Sequence, residues 1–210
     1  IELLEELTKS PRNEVVLISG RDKGTMEEWF GDLNLGLAAE HGAWTKEKGK
    51  EWETIDTLSN DWKGEVHSIL ELYVDRTPGS FIEEKEFSLA WHYREAEHKL
   101  GDMRARELAN NLLTLTTNLN LQVLEGSKVI EVKNAGVNKG RAARQWISKK
   151  KWGFILAIGD DLTDEDVFKV LPTTAWSIKV RFGASSARFH LSFPSQVRAL
   201  LQEMLAGLRA

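Results

Sequence analysis

Cysteine is absent from the 210 residues, which excludes a disulfide scaffold, a thiolate metal site and a cysteine nucleophile together. The compartment therefore stays open, with the cytoplasm as the default. Long apolar runs are also lacking. No stretch approaches the ~20 residues that a membrane-spanning helix needs, and Ile1-Glu2-Leu3-Leu4 has neither the basic head nor the long apolar middle of a secretion signal. There is no surplus of positive charge: 28 Lys and Arg face 32 Asp and Glu, a formal net charge of -4. Nothing advertises a nucleic-acid partner, so any bound anion must be held locally. Methionine does not occur before Met26, and the expectation is that translation began upstream of Ile1. What is present is ordinary globular material. Hydrophobic residues make up 41% and charged residues 29%, enough to bury a core in one generous domain or a domain with an insertion.

Leu3, Leu4 and Leu7 sit at helical spacing before the turn cluster Ser10-Pro11-Arg12-Asn13. Val15 to Ile18 reads as a strand buried on both faces, of the kind found in parallel sheets. A short helix follows from Thr25 to Phe30, with Thr25 as candidate cap, and Trp44 to Trp52 suits a solvent-facing hairpin. Trp62, Val66, Ile69, Tyr73 and Val74 predict a helix ending at Pro78-Gly79. The period then becomes two: Phe87, Leu89, Trp91 and Tyr93 alternate with Ser88, Ala90, His92 and Arg94, and Ile82 belongs to the hairpin partner. Leu108, Leu112, Leu115 and Leu119 mark another helix, and strands are predicted at 121–124 and 129–133 around Gly126. After them come a helix around Ala142 to Ile147, a doubly buried strand at 154–158, a helix at 167–171, a strand at 177–180 and a closing helix at 197–205. The fold class is α/β: residues 1–59 and 136–210 alternate strand and helix as in a doubly wound, Rossmann-like core with a parallel sheet, and residues 60–135 form an inserted α+β module.

Ligands gather beyond the carboxyl ends of strands in open α/β sheets. The loop Ile18-Ser19-Gly20-Arg21-Asp22 offers a hydroxyl and a glycine-freed backbone to a phosphate oxygen, although an ordinary turn would look the same. The loop from Gly159 to Asp166 places five carboxylates within seven residues directly after a buried strand. Crowded carboxylates repel one another unless a cation shares them, which points to a hard, oxygen-liganded ion such as Mg²⁺. An acidic helix start would account for Asp164 to Asp166 and accounts poorly for Asp160 and Asp161. Lys139, opening a helix between the two loops, is the candidate cation for phosphoryl-transfer chemistry.

Ser19 after an apolar strand, Lys139 opening a helix, and Gly159-Asp160-Asp161 after the next strand resemble the second, third and fourth motifs of the haloacid dehalogenase-like phosphatases. The stretches 17–22, Ala39-Glu40-His41-Gly42, Trp91-His92-Tyr93-Arg94, Gly136 to Gly140 and Gly159 to Asp166 narrow the resemblance to the trehalose-6-phosphate phosphatases, in order and spacing across essentially the whole chain. The resemblance implies a Mg²⁺-dependent, two-step hydrolysis of trehalose 6-phosphate through an aspartyl-phosphate. It further implies that Ser19 and Lys139 hold phosphate oxygens, that Asp160, Asp161 and Asp164 serve the metal, and that residues 60–135 form a cap reading the sugar. Lys85, Glu125, Glu131 and Lys133 are the cap residues expected to meet sugar hydroxyls, each of them also readable as a solvated charge on a sheet face. Arg21, Glu40 and His41 are expected near the junction of core and cap, on the ligand or as a latch. Trp91 and Trp44 are the tryptophans placed nearest the site, for packing or sugar stacking.

The sequence departs from the family in one respect: no Asp-x-Asp-Gly-Thr loop occurs in it. In the family that strand and loop precede the helix at residues 1–7, so the nucleophile and the acid/base residue are expected upstream of Ile1, and the core is expected to lack its first strand. Three readings follow: a trehalose-6-phosphate phosphatase completed by upstream residues, with a fused or associated trehalose-phosphate synthase as a partner; a catalytically silent domain that binds a sugar phosphate or supports such a synthase; and a sister phosphatase acting on another sugar phosphate.

Overall fold

A computed structural model of the chain describes residues 1–55, 58–116 and 119–209. Helix α1 (Glu2–Lys9) begins with Glu2 and Glu5 and ends with Lys9, charges that suit the helix dipole. Strand β1 (Val16–Ile18) leads to α2 (Lys23–Phe30), β2 (Gly36–Ala39), β3 (Trp44–Lys46) and β4 (Trp52–Thr54). The cap of α2 is Asp22 rather than Thr25: the Asp22 carboxylate accepts hydrogen bonds from the Thr25 amide (2.9 Å) and hydroxyl (2.5 Å). Burial, the largest influence, works to raise the Asp22 carboxyl, but the Thr25 bonds together with the Asp22 and Gly24 amides leave the group below its ordinary value. The chain then runs through α3 (Lys63–Asp75), β5 (Phe81–Glu84), β6 (Ser88–His92), α4 (His98–Thr116), β7 (Leu121–Gly126) and β8 (Val129–Asn134). It closes with α5 (Lys139–Ile147), β9 (Leu156–Gly159), α6 (Glu165–Val170), β10 (Trp176–Val180), β11 (Phe189–Leu191) and α7 (Pro194–Arg209).

The chain forms two compact units, residues 1–55 with 138–210, and residues 56–137. In the first unit, β1 and β2 are parallel and β3 and β4 add antiparallel strands. Strand β2 is buried along its whole length. Leu37 and Ala39 face a cluster with Met26 of α2, whereas Ala38 faces Ala142 and Trp146 of α5. The hairpin at Trp44 is thus less solvent-facing than expected: Trp44 and Trp52 both pack on that first cluster. A second sheet of the same unit is fully parallel in the order β11-β10-β9. Strand β9 starts at Leu156, two residues later than the apolar run suggests, and Phe154 is exposed. Among the described residues β1 pairs with β2 alone and β9 with β10 alone, and both strands are half-buried throughout.

Residues 56–137 form an antiparallel sheet in the order β5-β6-β8-β7. One face, with Leu89, Trp91, Ile130 and Val132, packs on Val66, Leu70 and Tyr73 of α3 and on Leu108 and Leu112 of α4. Full burial of each such side chain favours the fold by roughly 1.5–3 kcal/mol. Helix α4 is described as far as Thr116, and Leu119 lies in the turn before β7. On the other face Ser88 and Ala90 are themselves buried, so the alternation in β6 separates two packed faces rather than core from solvent. Among the described residues no helix is long and apolar enough to cross a membrane.

Candidate active site

The first turn of α5 is where the loops of the first unit meet. Asn138 caps it, accepting from the Arg141 amide at 2.8 Å. The 3-10 turn Glu40–Gly42 packs against α5, and a Cβ on Gly42 would stand 2.7 Å from that of Ala142. On the other side a Cβ on Gly140 would collide with the Asp166 carbonyl, so the start of α6 lies hard against the same turn. The loop after β1 joins through its main chain: His41 N–H donates to the Ser19 carbonyl and Glu40 N–H to that of Arg21, both at 2.8 Å. Four sequence segments, around Ser19, Glu40, Lys139 and Asp160, therefore converge at one end of this unit.

Glu40 and His41 are buried although charged or polar, and both occupy the left-handed region, at φ 47° and 58°, followed by Gly42 at 103°. For side-chain-bearing residues this costs of order 1–2 kcal/mol each, and such strain collects at functional sites. The His41 ring stands where a Cβ on Gly20 would be, 2.7 Å away. Ser19 is half-buried and its hydroxyl oxygen accepts from the Arg21 amide at 3.2 Å. Arg21 itself lies on the surface with its guanidinium 4.5 Å from the centre of the Trp29 ring.

In the acidic loop Lys139 Nζ pairs with Asp164 Oδ1 at 2.8 Å, both side chains largely buried. Asp164 Oδ2 accepts from the amides of Asp160 (2.8 Å) and Asp161 (2.9 Å). Gly159 is required here because a Cβ would overlap the Asp164 carboxylate. Asp161 caps the turn Leu162–Asp164. Asp160 presents a half-exposed carboxylate that pairs with Arg181 at 3.3 Å. Among the described residues no three acidic or histidine side chains converge as a metal cage. The expected set of Asp160, Asp161 and Asp164 is therefore not gathered: Asp164 spends both oxygens holding the loop, and Asp161 spends one on the Leu162 amide. Asp160 fits Mg²⁺ as a single hard oxygen ligand, since that ion takes one or two carboxylates and keeps several waters.

Sequence reasoning missed the roles of three residues in and beside this loop. Lys179 of β10 is buried and donates to the carbonyls of Asp160 (2.9 Å) and Asp161 (3.0 Å). Glu165 accepts from the Ser185 hydroxyl and the Ser186 amide, both at 2.7 Å. Burial works to raise the Glu165 carboxyl, but these bonds and the Lys179 charge hold it below its ordinary value. Arg181 is the third. The available signal was a lysine at the third position of the alternating stretch Ser177-Ile178-Lys179-Val180.

In residues 56–137, the sheet face away from the helices carries Lys85, Glu131 and Lys133. Lys85 Nζ lies 3.3 Å from Glu131 Oε1, which also accepts from the Ser88 hydroxyl at 2.9 Å. Lys133 donates to Gln122 Oε1 at 2.9 Å and to the Val137 carbonyl. On the same face His92 meets Glu83 at 2.7 Å, a contact that is the largest cause holding the Glu83 carboxyl below its ordinary value. Glu125 is not brought to this group. It pairs in register with Ile130, a core residue, and so lies on the helix-facing side, exposed. Trp91 is wholly buried, stacked on Tyr93 at 4.9 Å, which makes it a packing residue rather than a sugar platform. Trp44 lies beneath Lys23 Nζ, 3.6 Å from the ring centre.

The trehalose-phosphatase family model matches residues 1–196. The UDP-forming alpha,alpha-trehalose-phosphate synthase B of Dictyostelium discoideum is 43% identical over 173 residues, 81% of this chain and 22% of that protein. The bifunctional trehalose-6-phosphate synthase/phosphatase of Thermoproteus tenax is 36% identical over 204 residues, 97% of this chain and 28% of that protein. Among solved structures, the C-terminal domain of the C. albicans trehalose-6-phosphate phosphatase aligns at a TM-score of 0.90 and 33% identity, covering 99% of this chain and 83% of that one. The chain spans about a quarter of the length of the curated relatives it matches. With the family model covering nearly all of its length, the chain belongs to the trehalose-phosphatase family.

Proposed function

We propose that the chain belongs to a phosphatase that hydrolyses trehalose 6-phosphate to trehalose and phosphate. The observation that carries this reading is the convergence of the Ser19, Glu40, Lys139 and Asp160 segments on the first turn of α5. Lys139 brings a fixed, water-poor positive charge to a helix start, where phosphoryl oxygens are stabilised as charge spreads over them. Ser19 adds a hydroxyl that can donate to a phosphoryl oxygen while its own oxygen accepts from Arg21. Asp160 would supply a ligand to Mg²⁺, whose contribution when bound is to neutralise phosphate charge. The attacking carboxylate and the acid/base carboxylate belong, in this reading, to a strand that pairs with the open edges of β1 and β9. The carboxylate oxygen bonds to phosphorus as the protonated sugar oxygen leaves, and water then releases phosphate and restores the carboxylate. In residues 56–137 the charges of Lys85, Glu131 and Lys133, carried on one sheet face, suit a substrate dense in hydroxyls, since they supply both donors and acceptors.

The test is phosphate release by the natural full-length polypeptide with Mg²⁺. Release from trehalose 6-phosphate with little from glucose 6-phosphate is expected, and equal rates on the two would refute sugar reading by this sheet face. A second reading, a catalytically silent domain that binds a sugar phosphate or supports a fused synthase, is favoured by the synthase names among the relatives. It requires binding of trehalose 6-phosphate with no release at all.

A further inference from the structure

We propose that Lys179 is a positioning residue that fixes the main chain of Asp160 and Asp161 and thereby aims the Asp160 carboxylate out of the loop. The role rests on the phosphatase reading above, in which that carboxylate serves the reaction. Lys179 pairs in register with Gly159 on the parallel strand β9, so its side chain extends past a residue that has none. It is 7% exposed. A buried ammonium is costly unless its three N–H groups find acceptors, and a strand filled for packing alone would carry an apolar residue here. Two of the acceptors are the carbonyls of Asp160 and Asp161, and the Glu165 carboxylate lies 3.7 Å away. The amide groups of the same two residues are taken by Asp164 Oδ2. Two consecutive residues are thus gripped at both N–H and C=O by side chains from different elements, leaving Asp160 no backbone freedom with which to turn its carboxylate. Glu165, tied to Ser185 and Ser186, anchors the lysine from behind.

The experiment compares Lys179→Met and Lys179→Arg with the natural full-length polypeptide. Native-state hydrogen exchange at the amides of Asp160 and Asp161 should accelerate about tenfold or more in the methionine variant, with the rest of the chain unchanged. In phosphate release the Mg²⁺ concentration giving half-maximal rate should rise about tenfold, with KM for the sugar phosphate within about twofold, and arginine should restore part of both effects. Unaltered exchange and unaltered Mg²⁺ dependence in the methionine variant would overturn the proposal. So would a uniform loss of rate that arginine does not relieve, which marks a merely structural lysine. If the methionine variant does not fold, Lys179→Gln, which keeps two N–H donors, decides by the same exchange readout. A natural polypeptide that releases no phosphate defeats the phosphatase reading, and the exchange result still decides whether Lys179 holds the loop.

Discussion

The ammonium of Lys139 and the carboxylate of Asp164 meet at 2.8 Å, one opening a helix and the other closing the acidic turn, and neither has solvent enough to replace its partner. Removing one leaves the other stranded. Lys139→Met should destabilise the fold by about 2 kcal/mol in chemical denaturation, and adding Asp164→Asn should recover part of that loss. Equal stability of the single variant and the native chain would reduce the pair to a surface contact.

Asp160 differs in that its carboxylate is half-exposed and supports no buried group. Asp160→Asn should leave stability within about 0.5 kcal/mol of native, as surface changes usually do, while phosphate release falls to background. Retained turnover would remove Asp160 from the chemistry.

Two glutamates of residues 56–137 make a paired test. Glu131 is buried between Lys85 and Ser88, whereas Glu125 is exposed on the opposite side of the sheet. Glu131→Gln should raise KM for trehalose 6-phosphate about tenfold and Glu125→Gln by less than about twofold. The reverse order would mean that the wrong face had been assigned to the sugar.

Glu165 carries a pH dependence. Its folded carboxyl lies below the ordinary value, so its contribution is fully present above the unfolded pKa, about 4.3, and is lost as pH falls through the folded pKa. Glu165→Gln should therefore be less stable than the native chain at neutral pH, and the gap should narrow as pH drops below about 4.5. A gap constant over that range would show that the carboxylate is not the group at work.

Much of this was legible in the residues because local signals agreed with packing. Val16 to Ile18 and Leu156 to Gly159 are apolar runs with turn residues after them, and each is a strand paired in parallel with its neighbour, the first in a sheet that β3 and β4 make mixed. Lys139 and Asp160 stood out as charges at strand and helix ends. Less legible was anything set by partners distant in sequence. Lys179 resembles an ordinary strand lysine until β9 is laid beside it, and Phe189 to Leu191 is too short to declare itself a strand without β10. Glu125 was misgrouped because spacing gives the faces of one strand, whereas the choice of face belongs to register across two. Asp164 joined the expected metal set through the family resemblance, which does not show that both of its oxygens accept hydrogen bonds within the loop.

The three successive left-handed residues after β2 also bear on how this chain would respond to selection. Glycine at position 40 or 41 would relieve about 1 kcal/mol of backbone cost each. A library screened for thermal survival alone should drift toward glycine at Glu40 and His41, and one screened for turnover should keep the strained pair. Where those two outcomes part company, the turn marks a place where durability has been traded for function.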